Sequence, residues 1–181
     1  MRVQINPDQV KTSFGQFKDS ATFEESLALM EQGHLPVEML QAISLRPEIL
    51  KTFATTGDSV YPGGLLERSL KEKVILKSSI KNNCQFCRDS HRAIMRQLDI
   101  PQIQIDELEA AENLTEREQL ALSYTEAMME DSNRVSDELF NQLKENFSDE
   151  EIVELTFLVG FINMLNMFNN ALQVTFHEEY A

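Results

Sequence analysis

The sequence is short of positive charge. Sixteen Lys and Arg stand against thirty Asp and Glu in 181 residues, a formal net charge of −14. Such a chain lacks the surplus cations that bind the phosphates of DNA, RNA or anionic lipid without specificity. Glycine and proline are sparse too, six and five, while 42% of residues are hydrophobic and 25% charged; that balance is globular and excludes a disordered chain. No run of about 18 apolar residues would span a bilayer, and Met1-Arg2-Val3-Gln4-Ile5-Asn6-Pro7 lacks the apolar core of a signal peptide. No stretch keeps the period-2 alternation of a strand. These absences lead to the expectation of a single all-helical domain over residues 1–181, cytoplasmic, with neither nucleic acid nor membrane as partner. Cysteine is scarce as well, Cys84 and Cys87 only. In a reducing compartment two thiols three residues apart point to catalysis or metal binding and not to a structural staple.

What is there gathers around those thiols. Ser69–Leu98 holds both cysteines and one of the three histidines. If Cys84–Leu98 is helical, a turn of about 100° per residue puts Cys84, Cys87, His91, Ile94, Met95 and Leu98 within one arc. One reading is an apolar stripe with a satisfied histidine; the other is a redox dithiol with an imidazole one turn beyond it. Between Arg68 and Arg96 stand eight cations, Arg68, Lys71, Lys73, Lys77, Lys81, Arg88, Arg92 and Arg96, against Glu72 and Asp89. Cations and a helix N-terminus both favour thiolate: lowering a thiol pKa from about 8.5 to about 6 raises its ionised fraction at pH 7 from roughly 3% to roughly 90%. Glu72 also has two readings. Ser69-Leu70-Lys71-Glu72 fits a capping box, and a buried carboxylate here would relay protons to the thiols if the Ser69 helix folds back near Asn82-Asn83.

The pattern Glu72-x11-Cys84-x2-Cys87-x3-His91, with the apolar run Val74-Ile75-Leu76, resembles the alkylhydroperoxidase D-like branch of the carboxymuconolactone decarboxylase superfamily. The resemblance covers about residues 66–100, with an echo in the Asn-rich helix Phe161–Leu172. It implies a compact all-α bundle and a homo-oligomer, a trimer or a multiple of three. It also implies reduction of hydroperoxides by the cysteine pair, with a proton relay through Glu72 and His91 and no prosthetic group. Electrons would come from an external dithiol of lipoyl or thioredoxin-like type. One departure is Phe86, where the best-known peroxidases of the family carry a histidine. The decarboxylase branch does not depend on a Cys-x-x-Cys pair, so the thiols argue against that activity. Two alternatives use the same residues: a disulfide oxidoreductase or redox sensor without peroxide turnover, and a zinc module on Cys84, Cys87 and His91, for which no fourth ligand is evident. Spacing favours Cys87 as the attacking thiol, since His91 lies four residues beyond it and seven beyond Cys84. The helix N-terminus favours Cys84.

Along the rest of the chain, residues 1–20 read as an arm, a short helix or an oligomer contact. Thr22-Phe23-Glu24-Glu25 reads as a capping box for a helix stopped by Gly33, and Pro36 and Pro47 as first helical residues on either side of a bend. Asp106–Glu112 reads as a solvated helix or loop. Capping boxes are expected at Thr115 and Ser148, with a helix over Ser136–Asn146 between them. Ile152–Phe176, apolar nearly all round, should be buried on several sides. Asn163, Asn166 and Asn170 form a stripe suited to buried hydrogen bonds between helices. His34, in a turn, and His177, exposed near the end, are read as without chemistry.

Overall fold

The computed structural model describes residues 1–108 and 114–177; the expectation for Glu109–Glu112 lies outside them. Among the described residues there are ten α-helices and no strand. They form two compact units, residues 1–64 with 171–177, and residues 65–170.

In the first unit, residues 1–20 are not a free arm. Pro7 opens α1 (Pro7–Phe14), whose first N–H groups are taken by the Asn6 side chain. Val10 and Phe14 are fully buried, and the Ser13 hydroxyl donates to the Ser44 carbonyl at 2.9 Å. The Phe23 ring packs against Phe14, Phe17 and Phe53. The capping box expected at Thr22 does not form. Phe23 is the N-cap of α2 (Glu24–Glu31), and the Thr22 hydroxyl turns instead to Asp58 and the Ala54 carbonyl. Gly57 permits this approach, since a Cβ there would meet Thr22 at 2.3 Å. α3 (Glu38–Ser44) begins two residues after Pro36, whereas Pro47 does open α4 (Pro47–Ser59). His34 is exposed. His177 is exposed too but paired, 3.1 Å from Glu38.

The second unit is built around α5 (Arg68–Lys81), which packs against α6 (Gln85–Gln97) and α8 (Glu116–Asp131). α7 (Gln102–Asp106), α9 (Asp137–Asn146) and α10 (Asp149–Leu172) complete it. The three C-terminal helices start where the sequence says they should. Thr115 and Glu118 make a full capping box, Ser136 caps α9, and Ser148 and Glu151 exchange hydrogen bonds at 2.8 and 3.2 Å.

α5 buries its apolar Leu70, Val74, Ile75 and Leu76, and also Lys71, Lys73 and Lys77. A buried ammonium costs heavily unless paired, and each of these is. Lys71 meets Glu154 of α10 at 2.7 Å, Lys73 meets Glu118 of α8, and Lys77 and Lys81 share Glu126 at 3.0 and 2.9 Å. Burial works to raise the Glu154 carboxyl, but Lys71 and the N–H groups of Leu65 and Leu66 hold it below its ordinary value. Glu118 is lowered in the same way, burial being outweighed by Lys73 and Thr115.

α10 ends at Leu172 and departs from the burial on several sides expected for Ile152–Phe176. Ile152, Leu155, Leu158, Val159, Ile162 and Leu165 face inward, but Val153, Phe157, Met164 and Met167 are about half exposed or more. By length and composition alone α10 could cross a bilayer. Its inward polar residues Glu154, Asn166 and Asn169 bond to α5 and α6, which makes it a core helix of this unit.

Candidate active site

The reversal between α5 and α6 makes the site. α5 ends at Lys81, and Asn83 takes a left-handed φ of 54°, a conformation that asparagine tolerates better than most residues. The Cys84 N–H donates to the Ser79 carbonyl at 3.0 Å. Cys84 is then the extended N-cap of α6, its sulfur accepting the Cys87 N–H at 3.3 Å. A cysteine thus fills a position usually held by Ser, Thr, Asp or Asn.

Cys84 and Cys87 are joined as a disulfide and are buried. Folding back at Asn82-Asn83 also carries α6 past the start of α5, where Glu72 meets His91. Their atoms Oε2 and Nδ1 lie 2.7 Å apart, Glu72 fully buried and the His91 side chain 13% exposed. The other carboxylate oxygen of Glu72 accepts from Arg68 Nε at 2.6 Å. Glu72, Cys84, Cys87 and His91 are therefore all on this helical hairpin, with Glu72 joined directly to His91.

The expected capping role of Glu72 is overturned. α5 begins at Arg68 with Glu67 as N-cap, and no side chain caps it. Ser69 is inside the first turn and the Glu72 carboxylate goes to Arg68 and His91. The basic character of Arg68–Arg96 is also largely spent. Arg68, Lys71, Lys73, Lys77 and Lys81 all hold carboxylates, and Lys71, Lys73 and Lys77 do so from buried positions. Phe86 is buried between the cysteines. Among the described residues no three His, Cys, Asp or Glu side chains gather as a metal site; in the disulfide neither sulfur is a thiolate ligand.

α10 braces the hairpin with amides. The Asn82 amide donates to Asn163 Oδ1 at 2.8 Å and Asn166 Oδ1 at 3.0 Å. Asn166 donates to Ser79 Oγ at 3.2 Å, and Asn170 to the Asn82 carbonyl at 2.9 Å. The stripe thus does the interhelical bonding expected of it, although of its three members only Asn166 is buried. Sequence reasoning missed its fourth member. Asn169, buried, donates through Nδ2 to Cys87 Sγ at 3.3 Å; its place three residues after Asn166 was the available signal.

Fold and site together define an all-helical protein with a Cys-x-x-Cys disulfide at a helix N-terminus and a carboxylate–imidazole pair on the same hairpin. Residues 47–127 match the Carboxymuconolactone decarboxylase family. The chain resembles the uncharacterized protein YdfG of Bacillus subtilis (strain 168), 28% identical over 111 residues, 59% of this chain and 76% of that protein. A peroxidase-related protein from Silicibacter sp. TM1040 superposes with a TM-score of 0.79 at 22% identity, covering 99% of this chain and 91% of that one. A peroxidase-related protein from Ralstonia eutropha JMP134 with an alkylhydroperoxidase AhpD core gives 0.77 at 20%, covering 99% and 93%. The debrominase Bmp8, in complex with 2,3,4-tribromopyrrole, shares the fold at 0.71 and 20% identity over 90% and 89%. Over residues 47–127 the chain is thus similar to the carboxymuconolactone decarboxylase family, and its fold is the one these peroxidase-related proteins share.

Proposed function

We propose that the protein is a thiol-dependent peroxidase whose Cys84–Cys87 pair reduces hydroperoxides. The observation that carries this reading is a redox pair on the same helical hairpin as a buried carboxylate–histidine couple, Glu72 to His91 at 2.7 Å. In the reduced protein the Cys87 thiolate attacks the terminal oxygen of ROOH. The O–O bond breaks, RO⁻ leaves and takes a proton delivered by way of His91, giving ROH and a sulfenic acid on Cys87. The Cys84 thiolate then attacks that sulfur and displaces hydroxide, which is protonated to water as the disulfide forms. A dithiol of lipoyl or thioredoxin-like chemistry donates two electrons and two protons to restore the thiols, becoming a disulfide itself. Glu72 holds the imidazole and supports its charge when it is protonated.

The half-exposed apolar face of α10, Val153, Phe157, Met164 and Met167, supports a homo-oligomer, with a trimer or a multiple of three as the proposed state. A reducing cytoplasm is the compartment in which such a dithiol cycle runs.

The test is turnover of an organic hydroperoxide with dihydrolipoamide as reductant. Consumption above that of the Cys84→Ser, Cys87→Ser double variant is expected. Reduction of disulfide substrates with no peroxide consumed would instead make the protein a disulfide oxidoreductase, and the debrominase likeness makes a brominated pyrrole the natural control substrate. Stoichiometric zinc that blocks thiol titration would favour the metal module.

A further inference from the structure

We infer that Asn169 is a catalytic residue that stabilises the Cys87 thiolate, so that α10 and not α6 alone selects which thiol ionises. The inference deepens the peroxidase reading and rests on it for its catalytic meaning. A disulfide sulfur has no proton to donate, so the amide at 3.3 Å from Cys87 Sγ must present its N–H. The same N–H aimed at a thiolate makes a charge-assisted bond, roughly twice as strong as a neutral one. Burial alone would oppose ionisation of a thiol as enclosed as Cys87. An amide donor fixed on its sulfur offsets that opposition where it is needed.

The amide is fixed by its helix. Asn163, Asn166 and Asn170 bond α10 to Ser79 and Asn82 at the end of α5, which sets the register of Asn169 against α6. The two sulfurs therefore have separate donors, the Cys87 N–H for Cys84 and the α10 amide for Cys87. The ionisable groups on the surrounding elements are already engaged or lie along α6 itself. On α5, Glu72 is held between Arg68 and His91. On α6, Asp89 is bonded to Gln85, as is Arg88. On α7, Asp106 holds Gln102. After Glu154, α10 has no ionisable side chain, so its contribution at Cys87 is a neutral dipole.

The test is titration of each thiol alone by thiolate ultraviolet absorbance, with iodoacetamide alkylation at pH 7 in parallel. In a Cys84→Ser background, Asn169→Leu is expected to raise the Cys87 pKa by about one unit and to slow alkylation up to about tenfold. In a Cys87→Ser background the same change should leave Cys84 where it was. Asn169→Asp, which keeps the shape but replaces the donor by a carboxyl, should raise the Cys87 pKa further and carries the test if the Leu variant does not fold. An unmoved Cys87 titration, or an equal shift at both thiols, overturns the inference. Neither readout uses peroxide. A selective shift at Cys87 in a protein that consumes no hydroperoxide would leave this inference standing and sink the peroxidase reading.

Discussion

Glu72 is buried with a cation on one carboxylate oxygen and an imidazole on the other. It is thus a group built to hold charge where water cannot, and its chemistry is separable from its shape. Glu72→Gln keeps the size and some of the hydrogen bonding but removes the charge that supports a protonated His91. We expect the peroxide rate to fall about 10²-fold or more, in the range of general acid–base contributions, with the helical circular dichroism retained. A rate equal to the parent's would remove Glu72 from the mechanism. The order of the thiols has its own test, trapping with a sulfenic-acid reagent after one equivalent of peroxide. Cys84→Ser should accumulate label at Cys87, and Cys87→Ser should stay largely unlabelled; the reverse pattern would exchange their roles. The hairpin was legible because helix periodicity is local, and a turn at Asn82-Asn83 brings Glu72 to His91. The cap at Ser69 was misread because the entry to α5 is set from a distance, by Glu154 binding the N–H groups of Leu65 and Leu66. The bond from Asn169 to Cys87 was hidden for the same reason, since it joins two helices far apart in the chain.

Among the elements, α5 carries the energetic risk of the unit, because its cations are buried and depend on partners from α8 and α10. Lys71→Met leaves Glu154 enclosed without its ammonium, and we expect a loss of about 3–5 kcal/mol in urea unfolding. The double change Lys71→Met, Glu154→Leu should recover much of it, and failure to do so would mean that Glu154 matters chiefly through Leu65 and Leu66. Acid should act on the same contacts. Glu118, Glu126 and Glu154 all have folded-state pKa values below the ordinary 4.5, so the folded protein binds fewer protons than the unfolded chain as pH falls. The stability they contribute is whole above about pH 5 and is lost as pH drops through the folded values. The urea midpoint should therefore fall from about pH 5 to about pH 3, and a flat profile would contradict the ion pairing. The sequence shows the cations of Arg68–Arg96 but not their direction. Periodicity places Lys73, Lys77 and Lys81 on one stripe, yet only packing against α8 turns that stripe inward.

For the whole molecule, the apolar composition of α10 was plain in the sequence, while its one-sided burial was not, because burial depends on which neighbours the helix finds. The exposed Phe157 and Met167 give the proposed oligomer a direct test. We expect the parent to sediment above monomer mass at micromolar concentration and Phe157→Glu, Met167→Glu to sediment as a monomer. A monomeric parent would contradict it. In the proposed cycle one hydroperoxide is reduced for each Cys84–Cys87 disulfide formed. The most direct measurement is a single turnover, in which fully reduced protein is mixed with a slight excess of organic hydroperoxide and both peroxide loss and free thiols are counted without added reductant. One peroxide consumed and two thiols lost per chain are expected, with neither change in the double serine variant. Unchanged peroxide with both thiols still free would contradict it.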